Sequence, residues 1–261
     1  MTIEQKKYIE IEIDLIENNE WDEFFEYAPD GTGGVLYEAG IPFLEYVTSI
    51  PDGLFRECEN IESINIPQNV SVIDDKAFCE CSNLTTVKIS EGLTSIGDGA
   101  FKDCSSLTSI NIPSSVTSIG FEAFYGCYSM TSINIPDSIT FIECGTFCAC
   151  KSLTSITIPD SVMRISDSAF LGCSSLKNVT ILDGVDVIGD WAFYNCRSLK
   201  SITIPNSVTF IGKNAFNDCG EIEINYDGTV AEWKQLIDAE FEQTDYTCNC
   251  TDGVVKRKWS A

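Results

Sequence analysis

The chain has no histidine, and only 16 lysines and arginines stand against 40 aspartates and glutamates, a net charge of −24. Without an imidazole, the Ser-His-Asp and Cys-His nucleophile arrangements and most zinc sites are excluded. So acidic a surface repels phosphate and anionic lipid, so direct nucleic-acid binding and docking on a membrane surface are not expected, and basic partners are favoured. Long apolar runs are missing as well: no stretch approaches the roughly 20 residues that cross a bilayer, so membrane insertion is not expected. The first 25 residues, MTIEQKKYIEIEIDLIENNEWDEFF, carry acidic residues every few positions where a secretory signal has its apolar core. With no signal peptide, the chain reads as soluble and cytoplasmic as encoded, surface or virion exposure requiring another route.

What the chain has instead is a period. CSSLTSINIPSSVTSIG (104–120) returns as CYSMTSINIPDSITFIE (127–143), 23 residues later. Phe55, Phe78, Phe101, Phe124, Phe147, Phe170, Phe193 and Phe216 form one column at that spacing, with alanine before six of the eight. Cys58, Cys81, Cys104, Cys127, Cys150, Cys173, Cys196 and Cys219 form a second, and two isoleucine columns run from Ile73 to Ile211 and from Ile66 to Ile204. No local preference asks for such a return; stacking does, because one unit cannot bury these side chains alone and a stack gives each column a continuous core. The thirteen cysteines would suggest a disulfide framework in a secreted chain. A residue fixed at one place in every repeat fills one recurrent core slot, however, and copies about 4.8 Å apart sit farther than the roughly 3.8 Å between Cβ atoms that a disulfide prefers.

Within each unit LTSINIP alternates apolar and polar residues as a short half-buried strand does, and a proline closes it in five of seven units. A polar turn follows, VTSIG returns the chain, and AFxxC supplies a bulky and a small apolar group for a short turn. The unit CxxLxx[IV]xIPxxVxxIGxxAFxx resembles the 23-residue leucine-rich repeat of the BspA-like, or Treponema pallidum-type, family over residues 50 to 224. The resemblance implies an α/β repeat solenoid, a right-handed superhelix with short parallel strands on its concave face. It also implies use as a binding surface, often in bacterial surface proteins that adhere to host matrix or to other cells, although this chain lacks the signal peptide and anchor of those members.

Three segments are expected. Residues 1–48 lack the repeat and fit an acidic, mainly helical N-terminal cap, with a strand at YIEIEID as the alternative; 49–224 hold about eight rungs; 225–261 form a C-terminal cap of strand, short helix and hairpin. The last contains YDGTVAEW and CTDG, similar to closing elements of family members, with Asp252-Gly253 as the expected hairpin turn.

Chemistry is sparse. The Cys-x-Cys pairs Cys79 and Cys81, Cys148 and Cys150, and Cys248 and Cys250 lack a second pair at metal-ligand spacing. Of these, Cys248 and Cys250 are the readiest to oxidise. Asp137, Asp160 and Asp183 share a column with Glu91, and Asp167 shares one with Asp190; such rows either sit solvated in turns or hold a hard cation. Paired carboxylates for glycosidase chemistry need two different environments in a cleft, which identical turns do not offer. No catalytic residue, metal or cofactor is assigned, and the chain is not expected to be an enzyme.

Binding is sought on two surfaces. The strand positions expected on the concave side, Asn65, Lys88, Asn111, Asn134, Thr157, Thr180 and Thr203 with the serines, Thr86 and Asn178 two residues before them, make a polar face without aromatics. The aromatics that break the repeat, Phe121, Tyr125, Tyr128 and Phe141, then Trp191, Tyr194 and Phe210, are either contact anchors or packed on one another. The expectation is a non-catalytic module for a protein or glycan partner, adhesin- or scaffold-like. A phage-particle component that contacts the host is one alternative. An acidic inhibitor mimicking nucleic acid is the other, and it requires carboxylates on one continuous face.

Overall fold

A computed structural model describes residues 43–45, 47–237 and 245–258. The helices expected in 1–48 lie outside the described residues, apart from a 3₁₀ turn at Phe43–Glu45. From Ser49 onward the period becomes a stack in which each rung gives two short strands and one turn. The first strands pair in parallel with an offset of one repeat, as in Ser63↔Thr86 and Ile64↔Val87. They run Ser63–Ile66, Thr86–Ile89, Ser109–Ile110 and Ser132–Ile133, and resume as Ser155–Ile158, Asn178–Ile181 and Ser201–Ile204. The second strands are two residues each, from Ser49–Ile50 to Ser118–Ile119 and from Phe141–Ile142 to Phe210–Ile211. No helix occurs in any described rung, so the α/β class gives way to a nearly all-β solenoid. The physical reason is length: 23 residues already divided between two strands and a corner leave no room for helical turns.

The two sheets are interrupted at neighbouring rung boundaries, after Ser118–Ile119 and after Ser132–Ile133. Near this seam the Asn134 side chain replaces a strand ladder: its Oδ1 accepts the Ile112 N–H at 3.0 Å and its Nδ2 donates to the Ile112 carbonyl at 2.7 Å.

The corner is held by a ladder of its own, which continues across the seam. Gly99, Phe101 and Asp103 donate their N–H groups to the carbonyls of Phe121, Ala123 and Tyr125 in the next rung, at 2.8, 2.8 and 2.7 Å, and Glu122, Phe124 and Gly126 repeat the pattern onto Cys144, Thr146 and Cys148. The residues two before and two after each phenylalanine hold positive φ, as Gly99 (59°) and Asp103 (56°) do. These left-handed positions turn the chain while keeping alternate N–H groups along the stack. Only some are glycine; Lys76, Glu80, Ala149 and Trp191 adopt the same conformation with a side chain, at a cost of roughly 1–2 kcal/mol each.

Inside the corner the eight phenylalanines are buried and stack in sequence, centroids 4.9 to 5.7 Å apart and planes within 18°. The cysteine beside them is more than filler. From Cys81 to Cys219 each thiol lies 2.9 to 3.3 Å from the carbonyl of the phenylalanine one rung back, as Cys104 does with Phe78. The slot asks for a group that is small, apolar and able to donate, and cysteine meets all three demands.

The stack closes at its C-terminal end by continuing the first sheet. Ile222–Tyr226 pairs in parallel with Ser201–Ile204, Tyr246–Cys250 pairs in parallel with it, and Gly253–Arg257 turns back antiparallel. Between the first two, helix α1 (Val230–Leu236) starts from a capping box in which Thr229 and Glu232 bond reciprocally. Those bonds hold the Glu232 carboxyl below its ordinary range. Trp233 of α1 is buried between Tyr226 and Tyr246, 5.4 and 5.9 Å away. The hairpin turn is Thr251-Asp252, one residue earlier than the Asp252-Gly253 expected. Its position is set by docking, since the Asp252 carboxylate accepts the Val230 N–H at 2.7 Å and the Thr251 N–H donates to the Gly228 carbonyl at 2.9 Å. Lys256 and Arg257 charge the final edge strand, which discourages further strand addition. No helix among the described residues is long and apolar enough to cross a membrane.

Two stability measurements test this account. Phe124→Ala, in a central rung, is expected to cost about 3–5 kcal/mol in a denaturant titration; a loss below about 1 kcal/mol would remove the ladder from the core. Ala149→Gly is expected to stabilise by roughly 0.5 kcal/mol, because relief of the left-handed backbone exceeds the entropy that glycine adds to the unfolded chain. The control Ala123→Gly, buried and outside the left-handed positions, should lose about 1 kcal/mol or more. The same sign for both would refute the corner argument.

Candidate functional site

The first strands place their polar residues outward. Asn65 pairs beside Lys88, and Thr157, Thr180 and Thr203 stand side by side, followed by Asn225 and Asn249 of the closing strands. Much of this face bonds to itself: Ser201 Oγ meets Asn178 Oδ1 at 3.2 Å, and Asn249 Nδ2 meets Glu223 and Asn225 at 2.7 and 3.0 Å. Asn111 and Lys88 are exposed, while both ends of the Asn134 amide are engaged by Ile112.

The seven aromatics that break the repeat fall in different columns. Phe141 and Phe210 project from the second strands; Phe121, Tyr125, Tyr128, Trp191 and Tyr194 project from the corners. Among the described residues no ring contact joins any two of the seven; the ring contacts run through the phenylalanine ladder and the Trp233 cluster. Mutual packing therefore does not explain them. Tyr125 and Tyr128 each carry a lysine ammonium over the ring, Lys102 at 4.8 Å and Lys151 at 4.3 Å, and Lys102 also pairs with Glu122 at 2.5 Å. The nearby Asp218 carboxylate pushes the Tyr194 phenol up from its ordinary pKa. Phe121, Tyr128, Phe141, Trp191 and Phe210 remain substantially exposed.

Two arrangements emerge. Phe141, Arg164, Val187 and Phe210 stand in register on four consecutive second strands, where the first four rungs carry Ser49, Val72, Ser95 and Ser118. Met163, in a column otherwise mainly threonine, is exposed beside them. On the corner face, Ser168, Leu171, Trp191, Tyr194, Asn214 and Asn217 line an open groove of about 440 Å³. A search for aromatic departures alone misses Met163, Arg164, Val187, Ser168, Leu171, Asn214 and Asn217; applying the same column test to every residue type finds Met163 and Arg164.

The acidic column that holds Asp167 and Asp190 has a structural use. Asp75, Asp98, Asp167 and Asp190 each offer Oδ1 to the N–H one repeat later, on Asp98, Phe121, Asp190 and Lys213, at 2.7 to 3.0 Å. Gly97, Gly120, Gly189 and Gly212 stand one residue before those N–H groups, where a Cβ would come 2.4 to 2.6 Å from the Asp Oδ1. Where the acceptor is Phe121 or Cys144 instead of aspartate, Glu143 and Ser166 replace the glycine; Asp74, above Asp52, is the exception. No group of three or more His, Cys, Asp or Glu that could hold a metal occurs among the described residues. The thirteen cysteines are all unpaired with one another covalently, and Cys248 and Cys250 have their sulfurs 3.7 Å apart. Burial pushes the ladder thiols of Cys127 and Cys173 far up, and the thiols of Cys79 and Cys148, outside the ladder, to about 11.

Comparison with known proteins bears on the architecture. The chain matches the BspA type leucine rich repeat region, in six copies, over residues 39–129 and 117–237. Among solved structures it is similar to the Treponema pallidum leucine rich repeat protein, with 28% identity and a TM-score of 0.58 over 63% of this chain and 79% of that one. A leucine-rich repeat protein from Bacteroides ovatus is 29% identical with a TM-score of 0.56, over 69% of this chain and 59% of that one. The match thus spans less than two thirds of the Bacteroides protein. Comparison with curated proteins finds no match.

The thiols offer a chemical check on the geometry. In native protein treated with iodoacetamide at pH 8, Cys144, which is exposed, should be alkylated, while the ladder cysteines react only in denaturant. Burial and the nearby Asp167, Glu122 and Glu143 carboxylates raise the Cys144 pKa above its usual value of 9.0. Its alkylation rate should therefore still be climbing past pH 9, where that of an unperturbed cysteine peptide levels off. Labelling of ladder cysteines at the Cys144 rate in native protein, read by mass spectrometry, would contradict the burial of that column.

Proposed function

The chain belongs to the BspA-type leucine-rich repeat family, and we propose that it is a non-catalytic interaction module whose solenoid offers a fixed surface to a protein partner, adhesin- or scaffold-like in role. The observation that carries this reading is the row of Phe141, Arg164, Val187 and Phe210 with Met163 beside it. Phe141, Met163 and Phe210 are 43%, 48% and 53% exposed, on a second sheet whose first half carries serine in three of four places. Phe, Met and Arg are the residue types enriched where proteins meet, and exposed apolar groups gathered in one row mark an interaction surface where scattered ones would be ordinary. Strand spacing of about 4.8 Å makes the row about 14 Å long, enough for the centre of a small interface. The net charge of −24 favours a partner with basic surroundings to an apolar centre. The acidic-mimic alternative is weakened because Asp75, Asp98, Asp167 and Asp190 each give a carboxylate oxygen to a backbone N–H.

The test is affinity capture from native-cell lysate and surface extract. Wild type is compared with Phe141→Ser/Phe210→Ser and with Phe121→Ala/Tyr125→Ala/Tyr128→Ala, all matched for thermal stability. The partner retained by wild type should fall at least ten-fold on the first variant and persist on the second. The reverse pattern would move the site to the Tyr125 corner, and equal capture by all three would leave the apolar row without a role in binding.

A further inference from the structure

The corner groove around Trp191 has a chemistry that the apolar row does not share. It is built from two columns of three consecutive rungs: Ser168, Trp191 and Asn214 stand two residues before the ladder phenylalanines, and Leu171, Tyr194 and Asn217 one residue after them. The preceding five rungs fill these columns with Gly53 and Arg56, Lys76 and Cys79, Gly99 and Lys102, Glu122 and Tyr125, and Gly145 and Cys148. Only the last three rungs combine aromatic and amide side chains with no charged lining residue, in a chain that carries 40 carboxylates. A volume of about 440 Å³ falls within the size range of small-ligand sites.

Trp191 is hard to explain by folding. Its φ is +53°, in a column that elsewhere carries glycine, lysine, glutamate, serine or asparagine. The corner ladder imposes that backbone on every rung, so what sets Trp191 apart is its side chain, a bulky aromatic that is a rare occupant of the left-handed region. The side chain is 38% exposed and its indole contacts no other ring among the described residues. Beside it the polar groups are oriented. Asn217 Nδ2 donates to Asn214 Oδ1 at 2.6 Å, which fixes the Asn214 amide.

We propose that this groove is a binding subsite for a neutral glycan, one pyranose ring lying on the Trp191 indole and its hydroxyls meeting the Asn214 amide and the Ser168 hydroxyl. An indole gives a flat apolar platform, while amides and hydroxyls both donate and accept as sugar hydroxyls do. The charge decides against the other flat ligands: a nucleotide brings phosphate, which a chain of net −24 repels and no lining cation takes up. Three rungs extend about 10 Å from first to last, long enough for a disaccharide. The site deepens the reading of the chain as a binding module but does not use the apolar row, so the two can fail separately.

The experiment titrates the full chain with maltohexaose, cellohexaose and chitohexaose, with polygalacturonate and ATP as charged controls, by isothermal titration calorimetry. At least one neutral hexasaccharide should bind and both controls should not. Trp191→Gly, which fits the left-handed backbone, should abolish that binding while the melting temperature stays equal or rises. Asn214→Ala should weaken it at least ten-fold, and Trp191→Phe should retain most of it. Protein-partner capture through Phe141 and Phe210 should be unchanged in Trp191→Gly. Binding of none of the three oligosaccharides, binding of ATP in preference, or undiminished binding by Trp191→Gly and Asn214→Ala would each overturn the proposal.

Discussion

Each rung passes backbone hydrogen bonds to the next along one axis, and every column of side chains inherits its character from that arrangement. The N–H of the ladder phenylalanine reaches the carbonyl just before the next ladder phenylalanine, from Phe55 with Ala77 to Phe193 with Ala215. A one-residue insertion in any rung would place the wrong N–H at the corner and move the phenylalanine out of its stack. This explains why no insertion interrupts the period between Phe55 and Phe216. The first departure comes where the ladder ends: Ser201 pairs with Glu223, 22 residues on, as the closing strand begins. Because a column meets only its own copies, it must be self-compatible. Phenylalanine stacks on phenylalanine, and a cysteine can sit above a cysteine because its thiol is satisfied by a carbonyl of the rung below.

That self-compatibility made the core readable from sequence. Phe124 and Cys127 are identified as buried simply because their counterparts recur, and both are fully buried. Other features were encoded but required knowing which atoms meet. The pairing of Asp98 with Gly120 is visible as two columns 22 residues apart, yet its meaning depends on a Cβ at Gly120 falling 2.4 Å from the Asp98 carboxylate. The positive φ of Lys76 or Ala149 leaves no trace in residue type, because the corner ladder imposes the conformation on whatever side chain stands there. The hairpin turn was misplaced by one residue for a related reason. Gly253 signals a turn locally, but the Asp252 carboxylate and the Thr251 N–H, bound to the start of α1 and to Gly228, decide where the chain reverses.

The candidate surfaces were partly legible, since outward columns carry no requirement to repeat. Trp191, Phe141 and Phe210 stood out because they depart from their columns. What sequence could not supply was grouping. Phe121, Tyr125 and Tyr128 lie within eight residues of one another, yet Tyr125 and Tyr128 each pair with a lysine of a different rung, Lys102 and Lys151. Phe141 and Phe210 are 69 residues apart and belong to one row, because 69 is three periods. In a solenoid, proximity is measured in column and rung rather than in sequence separation.

Both surfaces lie on the same side of the seam. The first sheet is interrupted after Ser132–Ile133 and then runs unbroken from Ser155–Ile158 through the closing hairpin to Gly253–Arg257. The second sheet resumes at Phe141–Ile142, and the apolar row occupies all four of its strands from there. The corner ladder crosses the seam without loss, so the two halves remain one stack. A surface that binds gains from backing that does not yield, because ordering a loose scaffold on binding subtracts from affinity. The C-terminal half has that backing: continuous pairing beneath the row, a buried Trp233 cluster at its end, and a turn docked onto the start of α1. The corner of the Trp191 rung lies within it, held by bonds from Trp191, Phe193 and Asn195 to the rung beyond. The apolar row and the Trp191 groove thus sit where pairing runs unbroken to the closing hairpin, and a tryptophan at positive φ can persist there because its backbone is bonded to neighbours on both sides.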